Sequence, residues 1–373
     1  MMKNKFLWIF LMFLLLSVFG FWGLANIKNK AVIHLQAESI EEKPNQKSIV
    51  IDLHTDALYF HVRGKKDITK YSKILQVDIP RLLEGGVNGQ VFAIWPNPKL
   101  LKRGQYADFV LSAIDTFSRI CRDESSKIAI ALSPDDVYKI AKSNRIAGIL
   151  AIEGGHALEG RLDMLDTFYL KGVRLLTITW NNTNEFADGV NDTIKPYGGL
   201  SDLGVKLIKH MNEMGMLIDV SHADENTFWD VINSSVAPVI ASHSGVRMLC
   251  NNPRNLTDDQ VRAIAEKGGV IGVIFYPSLL RTDVESVSIK DVLREIDYIK
   301  RLVGVDYIAL GSDFDGFMGK PPPIGLEDAT KFPALKDSLI SREYSDEEIE
   351  KILGKNFLRV WQKVCGISRS NSL

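Results

Sequence analysis

The apolar residues of this chain gather into eight short runs rich in Val, Ile and Leu. They are SIVIDLHTD (48–56), GVNGQVFAIW (86–95), IAGILAIEGG (146–155), VRLLTITW (173–180), MLIDVSH (216–222), PVIASHS (238–244), GVIGVIFY (269–276) and YIALGSDFDG (307–316). Each run is continuous rather than alternating, the pattern of strands buried on both faces of a parallel sheet. Between most of them the pattern switches to a helical period. LSDLGVKLIKHMNEMG opens at Ser201, a predicted N-cap, and stops at Gly215, while NLTDDQVRAIAEKGG opens near Thr257 and stops at Gly268. Strand and helix alternate eight times, which predicts an α/β fold, a (β/α)8 TIM-like barrel occupying 47–366.

In such a barrel the C-terminal strand ends all open on one face, so residues far apart in sequence converge on one pocket. Five of the runs stop on metal-ligand or acid/base residues: His54 and Asp56, Glu153, His222, His243 and Asp313. His54 and Asp56 lie two apart, hence on one face if the strand continues through both. Glu153 follows ILAI and precedes Gly154 and Gly155, a place where an unpaired carboxylate is costly. A single strand-end His is more often a structural residue, but three on converging strands favour a metal centre.

Imidazole and carboxylate ligands without thiolates suit Zn²⁺ and also admit Mn²⁺ or Co²⁺. Six candidates exceed the three protein ligands of one catalytic zinc. The expectation is therefore two zinc ions about 3.5 Å apart, sharing Glu153, with a bridging water as nucleophile. Asp313 then remains for proton transfer, with Asp315 as its rival if the strand persists.

Composition narrows the rest. A formal net charge of −1 without a long basic run gives no sign of nucleic-acid binding. Cys121, Cys250 and Cys365 fit no paired framework and read as inert thiols. Lys3 and Lys5 precede an uncharged stretch of 20 residues, Phe6 to Ala25, which as a helix spans about 30 Å, the hydrocarbon thickness of a bilayer. Residues 1–25 are expected to be a membrane anchor, or a signal peptide cut after Ala25, with 26–46 a polar tether and 367–373 a polar tail. Either way the catalytic domain is expected on the exported side: at the cell membrane if anchored, secreted or periplasmic if cleaved.

Taken together and in order, H-T-D, A-I-E-G-G-H, I-D-V-S-H, A-S-H-S, N-P-R-N and G-S-D-F-D-G resemble the membrane dipeptidase (renal dipeptidase) family of zinc hydrolases, from about Ile51 to Val360. The resemblance implies an α/β barrel holding two zincs. It implies that His54 and Asp56 bind one ion, His222 and His243 the other, and that Glu153 bridges them. It further implies that Arg254 binds the free carboxylate of a dipeptide, Asp313 moves the proton and Tyr276 lines the pocket. A homodimer is also implied. On the residues alone, the Arg254 guanidinium is a fork of donors matched to a carboxylate, although a surface ion pair is the plainer reading of one Arg.

One departure stands out. Where mammalian members carry L-T-x-T-H this chain reads L-T-I-T-W, so Trp180 stands where the family has a substrate-contacting His. An indole has one N–H donor and no basic nitrogen. The missing donor is left to Trp180 itself, to Asn181 or Asn182, or to the metal. His156 persists within EGGH as a pocket residue or a support behind it. The leading expectation is a two-zinc dipeptidase. The alternatives are a related amidohydrolase acting on a non-dipeptide amide or lactam, and a metal-containing binding protein without turnover.

Overall fold

The computed structural model describes residues 48–370. Nine strands run parallel: β1 (Ile51–Thr55), β2 (Gly89–Ile94), β3 (Ile128–Ile130), β4 (Ile146–Glu153), β5 (Val173–Thr177), β6 (Leu217–Asp219), β7 (Val239–Ser244), β8 (Val270–Val273) and β9 (Ile308–Leu310). Their order is β2-β1-β9-β8-β7-β6-β5-β4-β3, and a further pairing of β2 with β4 closes eight of them into a (β/α)8 barrel. Each barrel strand falls inside one of the eight apolar runs, and every residue of those strands is buried.

The ninth strand was not expected. β4 is long enough to pair with β2 along one edge from Ala147 to Ile152, while its other edge is shared by β3 (Ile146 to Gly148) and β5 (Leu150 to Glu153). β3 is thus an addition at the end of β4 remote from Glu153. Its three residues, two of them only partly buried, are too few to form an apolar run.

Helix punctuation follows the sequence signals. Ser201 Oγ accepts from the Gly204 N–H at the start of helix Asp202–Met214, and Gly215 ends it in the left-handed region at φ 70°. Thr257 and Gln260 form a capping box on helix Asp258–Glu266, followed by Gly268 at φ 75°. Apolar side chains fill both sides of the strand layer. One cluster joins Ile51, Val91, Ile149 and Leu175 to Phe357 and Trp361 of the last helix, which runs Asn356–Ser370 and so continues past position 367, where composition placed the start of the tail. Cys121 and Cys250 are buried, and burial pushes the Cys121 thiol up to about 12, as expected of an inert residue. Among the described residues no helix is long and apolar enough to cross a membrane. The expected anchor and tether, 1–25 and 26–46, lie outside the described residues.

Candidate active site

Strand ends and the turns just beyond them bring the six candidates together. His54 is in β1, Glu153 is the last residue of β4 and His243 lies in β7. Asp56 differs from the extended-strand expectation: β1 stops at Thr55, and Asp56 is the N-cap of helix Ala57–Val62. The turn still brings Asp56 Oδ2 to 4.0 Å from His54 Nε2. His222 and Asp313 each lie three residues past a strand end, at φ 64° and 60°. Non-glycine residues at positive φ cost about 1–3 kcal/mol and persist where the surroundings enforce them.

Glu153 is the hub. Its Oε1 lies 2.9 Å from His222 Nε2, 3.5 Å from His243 Nε2 and 4.0 Å from His54 Nε2. His54 Nε2 is also 3.9 Å from Asp313 Oδ1. Three overlapping ligand sets result: His54, Asp56 and Glu153; Glu153, His222 and His243; His54, His243 and Asp313. Gly316 permits this closeness, since a Cβ there would meet Asp313 Oδ1 and Asp56 Oδ2, both at 2.4 Å.

Protein groups alone leave this cluster unsatisfied. Burial, then Arg254, depresses the His54 imidazole to about 3, and burial holds His222 and His243 well below the usual range, so all three are neutral. Burial, then the neighbouring Asp56, pushes Glu153 and Asp313 well up, and burial, then Asp315, pushes Asp56 to about 7. His54 Nε2 and Asp56 Oδ1 are sealed from solvent without a hydrogen-bond partner. Neutral imidazoles facing crowded carboxylates are the donor set of a divalent cation, which satisfies both at once.

Behind the ligands a polar layer sets ring orientation. Asp219 accepts from the Ser242 and Thr177 hydroxyls, both at 2.6 Å, and from the Ser242 and Ser221 N–H groups. With its own hydrogen given to Asp219, Ser242 Oγ accepts at 2.7 Å from the Nδ1–H of His243, which turns the Nε2 lone pair toward Glu153. Asp52 accepts from the Ser312 N–H and hydroxyl and from Gln90, tying β1 to the turn that carries Asp313. Asp219, Ser242 and Asp52 were not singled out from sequence, although each lies within three residues of a ligand.

A cavity of about 840 Å³ opens over the cluster, lined by Asp56, Glu153, His222, Asp313 and three of the four expected substrate contacts, Arg254, Tyr276 and Trp180. Arg254 is held in plane by bonds from Nη1 to Ser244 Oγ (3.1 Å) and Nη2 to the His243 carbonyl (2.9 Å), while its Nε–H is unpartnered. Tyr276 packs near Phe317, ring centres 5.9 Å apart. Trp180 stacks on Trp95 at 4.7 Å, and Trp95 on Tyr59 at 5.3 Å, an aromatic wall of which only Trp180 was expected. The fourth, His156, does not line the cavity. Its ring lies behind Gly154, with Nε2 2.9 Å from the Pro96 carbonyl, which places it as a support rather than a pocket residue. Asp315 lines the cavity but spends both oxygens on backbone, accepting from the N–H groups of Gln76 and Val77.

Barrel, convergent histidines and buried carboxylates define a metal-dependent hydrolase. The chain matches the model of the family described as Membrane dipeptidase (Peptidase family M19) over residues 40–373 and belongs to that family of metallo-dipeptidases. It is 32% identical over 337 residues to the dipeptidase verJ of Clonostachys rogersoniana, covering 86% of this chain and 85% of the relative. Two solved structures superpose closely. One is the dipeptidase AC, a metallopeptidase of the same family (28% identity, TM-score 0.79, 86% of this chain and 100% of that one). The other is a Rhodobacter sphaeroides metallopeptidase liganded with a phosphinate mimic of L-Ala-D-Ala (27% identity, TM-score 0.78, 85% and 99%).

Proposed function

We propose that this chain is a two-zinc dipeptidase that hydrolyses the amide bond of dipeptides bearing a free C-terminal carboxylate. The observation that carries the reading is one oxygen of Glu153 facing the Nε2 atoms of His54, His222 and His243 within 4.0 Å. His54 and Asp56 would hold one ion and His222 and His243 the other, with Glu153 common to both. Such ions supply Lewis-acid polarisation of a carbonyl and a water acidic enough to attack it at neutral pH.

The chain's own groups do the rest. Asp313, 3.9 Å from His54 Nε2 and open to the cavity, accepts the proton of the attacking water and returns it to the departing amine. Arg254 keeps three of its five N–H donors uncommitted, enough for a two-bond pair with the substrate carboxylate, its plane already fixed by Ser244 and His243. Tyr276 and the Trp180 wall bound the side-chain space and exclude water.

Purified protein assayed on a panel of L,L and L,D dipeptides, with and without chelator, tests the proposal. Chelator-sensitive cleavage of free dipeptides supports it. Trp180 favours one second reading, a non-dipeptide amide or lactam substrate, which the same assay separates if only such compounds are cleaved. The uncharged stretch Phe6–Ala25 supports placement of the enzyme on the exported side of a membrane, held by its N-terminus, and fractionation of cells tests that. A homodimer is proposed from the resemblance, and sedimentation tests it.

A further inference from the structure

Asn181 stands beside the metal ligands with one end of its amide committed and the other free. Its Oδ1 lies 2.8 Å from His222 Nδ1. A His that ligates through Nε2 carries its proton on Nδ1, so the amide must present its oxygen there and turn its NH₂ elsewhere. Asn181 lines the cavity, and its Nδ2 makes no hydrogen bond to any described residue. The main chain on both sides is pinned by one segment, with the Asn191 N–H donating to the Asn181 carbonyl and the Val190 N–H to that of His222.

Neighbouring groups are placed differently. Asn182 does not line the cavity, and its Nδ2 donates to the Thr183 carbonyl. Trp180 also lines the cavity, but its indole packs against Trp95 and makes no hydrogen bond to a ligand ring, whereas Asn181 is tied to His222. We infer that Asn181 is a catalytic residue whose Nδ2–H donates to the substrate carbonyl oxygen as negative charge builds on it, while its Oδ1 orients His222. This rests on the dipeptidase reading. A preorganised neutral donor aimed at a developing oxyanion is worth about 10²–10³ in kcat.

The test uses the full metal-loaded enzyme with Asn181→Asp, which keeps an acceptor for His222 but has no donor, and Asn181→Ala, which has neither. Metal content, kcat, KM and the Ki of a phosphinate dipeptide analogue are measured for each, with Asn182→Ala as the control. Asn181→Asp is expected to keep the parental metal content and a KM within a few-fold. Its kcat should fall about 10²–10³-fold and the phosphinate Ki should rise in step, because that tetrahedral anion mimics the charged oxygen. Asn181→Ala should also lose metal more readily, and in saturating metal it should show the same rise in Ki. Asn182→Ala should match the parent. Parental kcat in Asn181→Asp, or parental Ki in metal-saturated Asn181→Ala, overturns the inference. Failure of the parent itself to cleave any dipeptide would instead overturn the proposed function.

Discussion

The Nε2 atoms of His222 and His243 face each other at 3.0 Å, while Nδ1 of each ring is engaged on its far side, His222 with Asn181 Oδ1 and His243 with Ser242 Oγ. With both protons on Nδ1, two lone pairs meet head to head beside the Glu153 carboxylate. A divalent cation held by these residues would relieve that repulsion, and the polar layer behind the rings keeps both Nε2 atoms turned toward Glu153 for it.

Metal content should therefore track stability as well as activity. Protein purified with zinc present should carry about two ions per chain by elemental analysis, since one catalytic zinc takes three protein ligands. Chelation should lower Tm by several degrees, because a ligand present at a thousandfold excess over its Kd contributes about 4 kcal/mol. Unchanged Tm after complete stripping would contradict a cation-dependent cluster.

Glu153→Gln should impair loading of both sites, because its Oε1 faces all three imidazoles. His222→Ala should leave about one ion per chain, because its ring serves one ligand set only. Equilibrium dialysis distinguishes these patterns. A Glu153→Gln enzyme with two tightly held ions would remove Glu153 as the shared ligand.

Asp313→Asn should keep metal yet lose about 10²–10⁴-fold in kcat, the contribution of a positioned general acid/base. Asp315→Asn should act differently. Its carboxylate accepts from the Gln76 and Val77 N–H groups at 2.9 and 3.0 Å, so an amide leaves one of these bonds unmade and destabilises the 72–78 segment by about 1–3 kcal/mol. Thermal melts and kcat measured side by side separate the two, and a larger kcat loss for Asp315→Asn would reverse the roles.

Selection for a free carboxylate should run through Arg254. Arg254→Lys keeps the charge but loses both the fork and the bonds to Ser244 and His243. A charge-assisted bond worth about 1.5–3 kcal/mol corresponds to a ten- to hundredfold drop in kcat/KM on free dipeptides. Amidating the substrate should cost the parent a similar factor and the variant little more, as each change removes the same contact. Equal use of free and amidated dipeptides by the parent would favour the broader amidohydrolase reading.

Outside the cluster, Glu295 makes a pH-dependent demand on the fold. Burial, the largest influence, raises its carboxyl from 4.5 to about 8, although Oε2 accepts from the Val246 N–H at 2.8 Å. A carboxyl that is protonated in the folded chain and ionised in the unfolded one destabilises the fold as pH rises between those two values. Glu295→Gln should accordingly raise Tm relative to the parent at pH 8–9, with the gain fading toward pH 4.5. A Tm difference independent of pH would rule out this titration as the cause.

What the sequence by itself determined is local. Continuous apolar runs marked all eight barrel strands, Ser201, Gly215, Thr257 and Gly268 marked helix ends, and the residues closing the runs supplied the three His and three carboxylates. These signals need only a few consecutive residues, because strand burial and capping are short-range. Tertiary structure decided whatever depends on where a side chain turns after a strand has ended. Strand period placed Asp56 beside His54 on β1 and left Asp315 level with Asp313, yet Asp56 reaches the cluster from a helix N-cap and Asp315 is drawn to backbone donors 239 and 238 positions away. The bond from His222 to Asn181 and the retreat of His156 behind Gly154 toward Pro96 were likewise set by partners distant in sequence. Past a strand end, backbone φ and long-range hydrogen bonds set direction, and no local period encodes either.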